Sequence, residues 1–141
     1  MNEKTKYDDK LMSILSHLAI LIPNIGILAP IVIWLTRKEK TKFVRYNAIQ
    51  AIFFQLLFFI LVMLSIFIGI ILMAVSIMLA NVSSGGEPGT FFWVSMGIIN
   101  LYFPLWFFFS IYAIVAAVKS YRGKIFRYPI IGKIVEKRVY K

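Results

Sequence analysis

The 141-residue chain contains no cysteine and only six acidic residues. Without cysteine it has no disulfide, no Fe–S cluster and no thiol nucleophile. The acids are scattered outside the long apolar stretches, and the sequence has no paired carboxylates, Ser–His–acid set, HExxH motif or phosphate-binding glycine loop. We therefore expect a protein that is not an enzyme and that holds no metal or other cofactor.

Three long apolar runs, at positions 11–35, 48–80 and 91–118, fill most of the chain. Each is longer than the roughly 20 residues that an α-helix needs to cross a bilayer. Hydrophobic residues make up 60% of the sequence, and its mean hydropathy is +0.82. A helix satisfies its backbone hydrogen bonds within one segment, as hydrocarbon requires. The sequence therefore predicts an all-α integral membrane protein, with one membrane domain over 1–141 built as a small bundle of three long hydrophobic helices.

The first apolar run contains two features that disfavour a straight helix. Pro23-Asn24-Ile25-Gly26 is a turn-forming cluster near its middle, and Pro30 follows. A proline removes one helical hydrogen bond and kinks the helix. The run is therefore either a kinked span or a re-entrant hairpin that enters and leaves on one side. The side on which the N-terminus lies depends on which alternative is correct.

Cations outnumber acids by sixteen to six, which gives a net charge of +10. Most of them lie in the linker 36–47 and the tail 119–141, whereas the loop 81–90 carries one acid and no cation. Cations beside membrane spans mark the cytoplasmic side, so we expect the linker and the C-terminus to be cytoplasmic. We expect these cations to contact anionic lipid rather than nucleic acid. The residues expected at the lipid surface are Arg37, Lys38, Lys40, Lys42, Arg45, Lys119, Arg122, Lys124 and Arg127.

The tail also contains a short amphipathic pattern. Beyond Pro129, the apolar residues Ile130, Ile131, Ile134 and Val135 fall on one side of a helix. This pattern is typical of a basic interfacial helix that lies on the inner leaflet. The alternative is a solvated tail that stays disordered without a partner.

Polar and small residues of the second run share one face of the predicted helix. Helices in lipid have no hydrophobic drive to associate, so small residues and side-chain hydrogen bonds make their contacts. This stripe is therefore the predicted face for packing against another helix or a partner. Its members are Asn47, Ala51, Gln55, Ser65, Gly69 and Ser76. In the third run, we expect Asn100 to lie in the bundle or near the outer interface.

His17 is the only histidine and lies inside the first run. Ionisable residues at membrane depth are candidates for function, so a proton-carrying role is one hypothesis. No acid or cysteine shares the apolar runs, so a metal site or a proton relay has no second member. We therefore favour a neutral histidine that is hydrogen-bonded to Gln50, Gln55 or Asn24.

Five short motifs, taken in order, resemble those of a known family. They are SHL at 16–18, PIVIW at 30–34, FVRYNAIQA at 43–51, AAVKS at 116–120 and YPIIG at 128–132. With them the chain is similar to the Tic-twenty-like family, which comprises the twenty-kilodalton component of the chloroplast inner-envelope import machinery and its bacterial and archaeal relatives. The positions that match the family pattern are His17, Pro30, Trp34, Asn47, Gln50, Tyr128 and Pro129.

The resemblance implies a protein of a prokaryotic cytoplasmic (inner) membrane, with no catalytic role at the matching positions. The plastid member of the family belongs to a protein-import translocon and is described with four spans, whereas this sequence shows three clear ones. The function expected from the resemblance and the residues together is a small non-enzymatic subunit of a larger membrane transport or translocation complex. Its partners would be anionic lipids and either other membrane subunits or further copies of itself.

The alternative hypothesis is a channel or carrier for an ion or small solute, built by a homo-oligomer. In it, Asn24, His17, Gln50 and Gln55 would line the path. One chain with three spans does not easily enclose such a path, so several copies would be required.

Overall fold

The computed structural model describes residues 3–23, 25–37, 41–82, 89–129 and 131–139. These residues are predominantly helical, and no strand occurs among them. The helices are α1 (Glu3–Leu18), α2 (Leu28–Arg37), α3 (Lys42–Val82), α4 (Thr90–Asn100), α5 (Tyr102–Tyr121) and α6 (Ile131–Val139), and a short 3₁₀ turn over Ala19–Leu21 follows α1. The predicted all-helical class is confirmed for the described residues.

Two segments are long and apolar enough to cross a membrane. They are Lys42–Leu79, which is most of α3, and Thr90–Tyr121, which comprises α4 and α5. Their large apolar side chains are largely exposed, for example Phe67 at 63% and Met78 at 69%, as expected for helices that face lipid. A turn at Leu101 separates α4 from α5, with the Leu101 N–H donating to the carbonyl of Ile98 at 3.2 Å.

The first apolar run does not form one long helix, so the expected bundle of three long helices is not confirmed. Two hydrogen bonds close a turn after α1, from the Ile22 N–H to the Ala19 carbonyl and from the Gly26 N–H to the Ile22 carbonyl, both 3.0 Å. A Cβ on Gly26 would overlap the Ala19 carbonyl, so the turn requires glycine. Pro30 lies in the first turn of α2, where a missing N–H costs no helical bond.

The chain divides into two compact units by its internal packing. The first comprises Met1–Leu57 and Phe108–Lys141, and the second comprises Phe58–Phe107. In the first unit, Ile33, Val44 and Ala48 form a buried cluster that ties α2 to α3.

The C-terminal helix α6 is docked on α3 within the first unit. Its residues Ile131, Val135 and Val139, spaced by four, pack around Tyr46, and Val135 and Val139 are buried. The alternative of a disordered tail is therefore wrong for 131–139. The side of α6 that was expected to face lipid included both Ile134 and Val135. In the structure these two separate, because Val135 is buried against protein while Ile134 is exposed. Ile130, assigned to the same face, lies outside the described residues.

In the second unit, α3 and α4 pack side by side in antiparallel directions. Gly69 faces α4, where a Cβ would come within 2.5 Å of Ile99 Cγ1. The Ser95 hydroxyl lies 3.8 Å from the Met73 sulfur and donates to the Phe92 carbonyl at 2.6 Å. The small residue on α3 therefore permits a close approach of α4.

Candidate functional site

A buried polar cluster in the first unit is centred on His17, at the end of α1. Nε2 of His17 lies 3.1 Å from Oδ1 of Asn47, and Nδ1 lies 3.2 Å from the hydroxyl of Tyr128. The Asn47 amide nitrogen donates to the Phe43 carbonyl at 2.9 Å, which places the amide oxygen toward the ring. An amide oxygen only accepts, so Nε2 carries the proton and Nδ1 accepts from the Tyr128 hydroxyl. This arrangement satisfies both nitrogens of a neutral imidazole.

Ser120 completes the cluster and adds a fourth chain segment, α5, to it. Its hydroxyl donates to Oδ1 of Asn47 at 3.4 Å. The Tyr128 ring stacks on Phe54 with 3.9 Å between centroids, and it contacts the His17 ring at 5.6 Å. The cluster therefore joins α1, α3, α5 and the segment before α6. Such a network stabilises one arrangement of these elements, since breaking any bond leaves a buried polar group unpaired.

Burial sets the protonation states of the two ionisable groups, both of which lie outside the candidate spans. Loss of hydration lowers the pKa of His17 to about 4, against a smaller opposing effect of the Asn47 hydrogen bond. Loss of hydration likewise raises the pKa of Tyr128 well above its ordinary value. Both side chains are therefore neutral at pH 7, in agreement with the hydrogen-bond directions.

Two of the predicted hydrogen-bond partners of His17, Gln50 and Gln55, do not bond to its ring. Gln55 instead donates to the backbone carbonyl of Ser16 at 3.4 Å, and Asn24 lies outside the described residues. Gln50 is fully buried, and neither its amide oxygen nor its amide nitrogen has a hydrogen-bond partner among the described residues. The true partners of the ring are Asn47 and Tyr128, which the sequence singled out for other reasons.

The positions matched to the resemblance therefore separate into two groups. His17, Asn47 and Tyr128 meet in the polar cluster. The other four lie outside it: Pro30 is in the first turn of α2, Trp34 packs against the cluster of Ile33, Val44 and Ala48, Gln50 is buried without a hydrogen-bond partner among the described residues, and Pro129 is exposed just before α6.

Three residues that mattered were missed or underrated by the sequence analysis. Ser120 lay in a quoted motif without being assigned a role. Tyr46 and Gly132 likewise lay in quoted motifs without a role, yet the Tyr46 hydroxyl donates to the Gly132 carbonyl at 3.5 Å and fixes α6. In the sequence, a glycine at position 132 suggests close packing. That signal can be interpreted only once the packing partner is known.

The polar stripe of α3 is buried in both units. Asn47, Ala51 and Gln55 are covered within the first unit. Ser65 and Ser76 are buried in the second, where Gly69 faces α4 of the same chain. Packing of this face against a separate partner stays a prediction.

The basic residues described by the structure lie at the surface. Arg127 makes an ion pair of 2.6 Å with Glu136, the one ion pair among the described side chains. The Lys119 ammonium lies 4.9 Å from the centre of the Phe126 ring. Lys38 and Lys40 lie outside the described residues, and of Arg37 the structure describes the backbone alone. The exposed members are Lys42, Arg45, Lys119, Arg122, Lys124 and Arg127, and their contact with anionic lipid stays a prediction.

One polar residue of α4 is exposed on an otherwise apolar surface. The Asn100 amide nitrogen donates to the Met96 carbonyl at 2.8 Å, and its amide oxygen has no partner among the described residues. Three residues earlier, Gly97 has no atom within 4 Å of where a Cβ would stand. The interior alternative of the prediction for Asn100 is therefore wrong.

Two features bear on metal binding. Among the described residues, no group of three or more His, Cys, Asp or Glu side chains is placed to hold a metal ion. Both ring nitrogens of His17 are engaged within the chain, so this histidine is not free to be a ligand.

Comparison with known proteins overturns the resemblance to the Tic-twenty-like family. A profile of the MamF/MmsF family, described as the magnetosome magnetite crystal formation protein family, matches residues 8–135. No curated protein and no solved structure matches the chain. The match covers both candidate spans and every residue of the polar cluster. The chain is therefore a small membrane protein that belongs to the magnetosome magnetite crystal formation protein family.

Proposed function

We propose that this protein is a non-enzymatic structural subunit that assembles with further copies of itself in the membrane where a magnetite crystal forms. The observation that carries the proposal is the open face of α4, where Gly97 and the exposed amide of Asn100 lie side by side. The family to which the chain belongs supplies the setting of the membrane and the mineral.

The α4 face has the chemistry of a helix–helix contact in lipid. Residues three apart lie on the same side of a helix, so Gly97 and Asn100 present one surface. An amide oxygen without a partner is costly in hydrocarbon. A second α4 brought close over Gly97 supplies the missing donor through its own Asn100, which makes the contact self-complementary.

The proposed contribution to crystal formation is to organise the membrane rather than to bind iron through His17. The ring of His17 joins α1 to α3 and to the segment before α6 through its bonds to Asn47 and Tyr128, and both nitrogens are used in doing so. The basic residues of the linker and tail would hold the assembly to anionic headgroups.

The proposed topology has two spans, with both termini and the linker in the cytoplasm. Two crossings, at Lys42–Leu79 and Thr90–Tyr121, return the chain to its starting side. The break between α1 and α2 supports the re-entrant alternative for the first run over the kinked span. The basic linker and tail then lie on the same, cytoplasmic side.

A role in translocation loses the family resemblance that motivated it. The channel alternative gains no support from the polar residues assigned to its path. His17, Gln50 and Gln55 are buried within one unit of a single chain, and Asn24 lies outside the described residues.

The test of the proposal uses the lack of native cysteine, because any introduced cysteine is unique. We expect Gly97→Cys to form a disulfide-linked dimer in native membranes under mild oxidation. Ile70→Cys, at an exposed position of α3, is the matched control and should stay monomeric. Asn100→Leu, combined with Gly97→Cys, should reduce the dimer several-fold.

Equal cross-linking at positions 70 and 97 would show random collision and would overturn the proposed face. A further check is the mass of the wild-type protein in lipid nanodiscs. A monomer at every protein-to-lipid ratio would contradict self-assembly itself.

A further inference from the structure

The hairpin of α1 and α2 encloses an apolar groove with a volume of about 530 Å³. It shares no residue with the polar cluster or with the open face of α4. Its lining contains no charged side chain and consists of Met12, Leu15, Leu18, Ala19, Ile22, Leu28, Ala29, Val32 and Ile33. Such a lining offers water few hydrogen-bond partners and so favours an apolar occupant.

The groove has two different ends because α1 and α2 run antiparallel. At one end, Gly26 packs against the Ala19 carbonyl and the chain turns. At the other, Met12 packs against the cluster that contains Ile33. The small side chains of Ala19 and Ala29 leave the space between the helices, and exposed Leu15, Leu28 and Val32 form part of its lining.

Cationic residues flank this hairpin at the end away from the turn. No charged residue occurs between Lys10 and Arg37, so all of 11–36 is uncharged. Since α1 begins before Lys10 and α2 ends at Arg37, the antiparallel arrangement brings these two positions to the same end. Asp8 and Asp9 also lie at this end, but together with the linker 36–47 it carries more cations than acids, so the groove leads from a net basic end to an uncharged turn.

We propose that the groove binds one acyl chain of an anionic phospholipid, with the phosphate at the end marked by Lys10. A membrane phospholipid has this same distribution of charge and apolar length. The volume of the groove also lies within the range of about 300–1,000 Å³ that small-molecule sites occupy. A third helix, about 10 Å or more across with its side chains, does not enter a groove between two helices already in contact.

The first experiment maps the lipid on the unaltered protein. The protein is reconstituted in vesicles that contain phosphatidylglycerol with a photoactivatable group in the middle of one acyl chain. Trypsin has no cleavage site between Lys10 and Arg37, so the hairpin is released as the single peptide 11–37. We expect this peptide to carry at least several-fold more label than matched phosphatidylcholine produces at equal density. Equal labelling by the two lipids would overturn the anionic headgroup, and label confined to other peptides would overturn the groove.

The second experiment fills the groove. We expect Ala29→Phe to reduce the phosphatidylglycerol retained in native mass spectra of the detergent-purified protein by more than half. Leu35→Phe, at an exposed position of α2 outside the lining, should retain the wild-type amount. Retention of a free fatty acid in place of a phospholipid, recognised by its mass, would contradict the proposed ligand. Unchanged retention in folded Ala29→Phe would contradict the site, and the labelling of wild-type protein decides the matter if this variant does not fold.

Discussion

At the scale of single residues, one buried histidine links distant parts of the chain through its hydrogen bonds. His17 accepts from Tyr128 and donates to Asn47, and each partner reaches it from a distant part of the sequence. The three residues and the neutral state of the ring were predictable from the sequence, but their pairing was not. Partners 30 and 111 residues away are set by tertiary packing, for which periodicity and local propensity carry no information.

Removing the Tyr128 hydroxyl tests its hydrogen bond to His17 with little change in packing. Tyr128→Phe keeps the ring that stacks on Phe54 but leaves Nδ1 of His17 buried without a donor. We expect the free energy of unfolding in detergent to fall by about 1–3 kcal/mol. Tyr121→Phe, at an exposed tyrosine, should change it by less than about 0.5 kcal/mol. Equal effects of the two substitutions would show that the hydroxyl makes no specific contribution.

The burial of a neutral His17 predicts that the protein loses stability in mild acid. The folded-state pKa of His17, about 4, lies below its ordinary value of 6.5, so folding favours the neutral ring. The stabilising contribution is complete above pH 6.5, is lost as the pH falls from about 6.5 to about 4, and does not change further below that.

Thermal unfolding measured at intervals between pH 7.5 and pH 4.5 checks this linkage. We expect the apparent Tm of the wild type to fall over this range and that of His17→Gln to fall less. The chain has no other histidine to titrate there. A parallel decline in the two proteins would assign the pH dependence to other groups.

At the scale of elements, the two longest helices were predictable and the first apolar run was not. Continuous apolar runs longer than a bilayer is thick leave little alternative to a helix, and α3, α4 and α5 cover the predicted runs 48–80 and 91–118. In the first run, the Pro23–Gly26 cluster was recognised, but sequence alone did not decide between a kink and a break. The contact between Gly26 and the Ala19 carbonyl is what decides it. Helix α6 shows a similar limit, because its pattern predicted a helix but not that Tyr46 would occupy its apolar side.

Docking of α6 depends on the absence of a side chain at position 132. A Cβ there would stand 2.9 Å from Cβ of Arg127 and 3.1 Å from the Gln50 amide nitrogen. We expect Gly132→Val to release α6 and to accelerate tryptic cleavage at Lys133 and Lys137 at least several-fold. Ile134→Ala, at an exposed position of the same helix, should leave the cleavage rate within twofold of the wild type. Wild-type cleavage of the valine variant would show that α6 tolerates the added volume.

At the scale of the whole molecule, the number of crossings determines which parts of the protein share a compartment. Two spans bring both termini to one side, whereas three would place the N-terminus opposite the C-terminus. The proposed self-assembly and the proposed lipid site both assume the two-span arrangement. In it, the hairpin of α1 and α2 enters and leaves the membrane on the same side.

Single cysteines at three positions distinguish these topologies. We expect Lys4→Cys and Lys137→Cys to be protected from a membrane-impermeant maleimide in intact cells, and Glu87→Cys to be labelled. All three should react after the cells are permeabilised, which controls for reactivity. Labelling of position 4 together with position 87 would instead establish three crossings.

The contact between His17 and Tyr128 also has a consequence for the order of events during synthesis. The two residues are separated by 111 positions, so a ribosome working at about 5–20 residues per second makes the second roughly 6–20 s after the first. For that interval α1 has been translated but its histidine has no tyrosine to bind. The helices that supply the candidate spans are completed before Tyr128 is added. Both candidate spans are therefore available to the bilayer before His17 can bind Tyr128, and the segment that begins at Tyr128 completes the packing of the first unit.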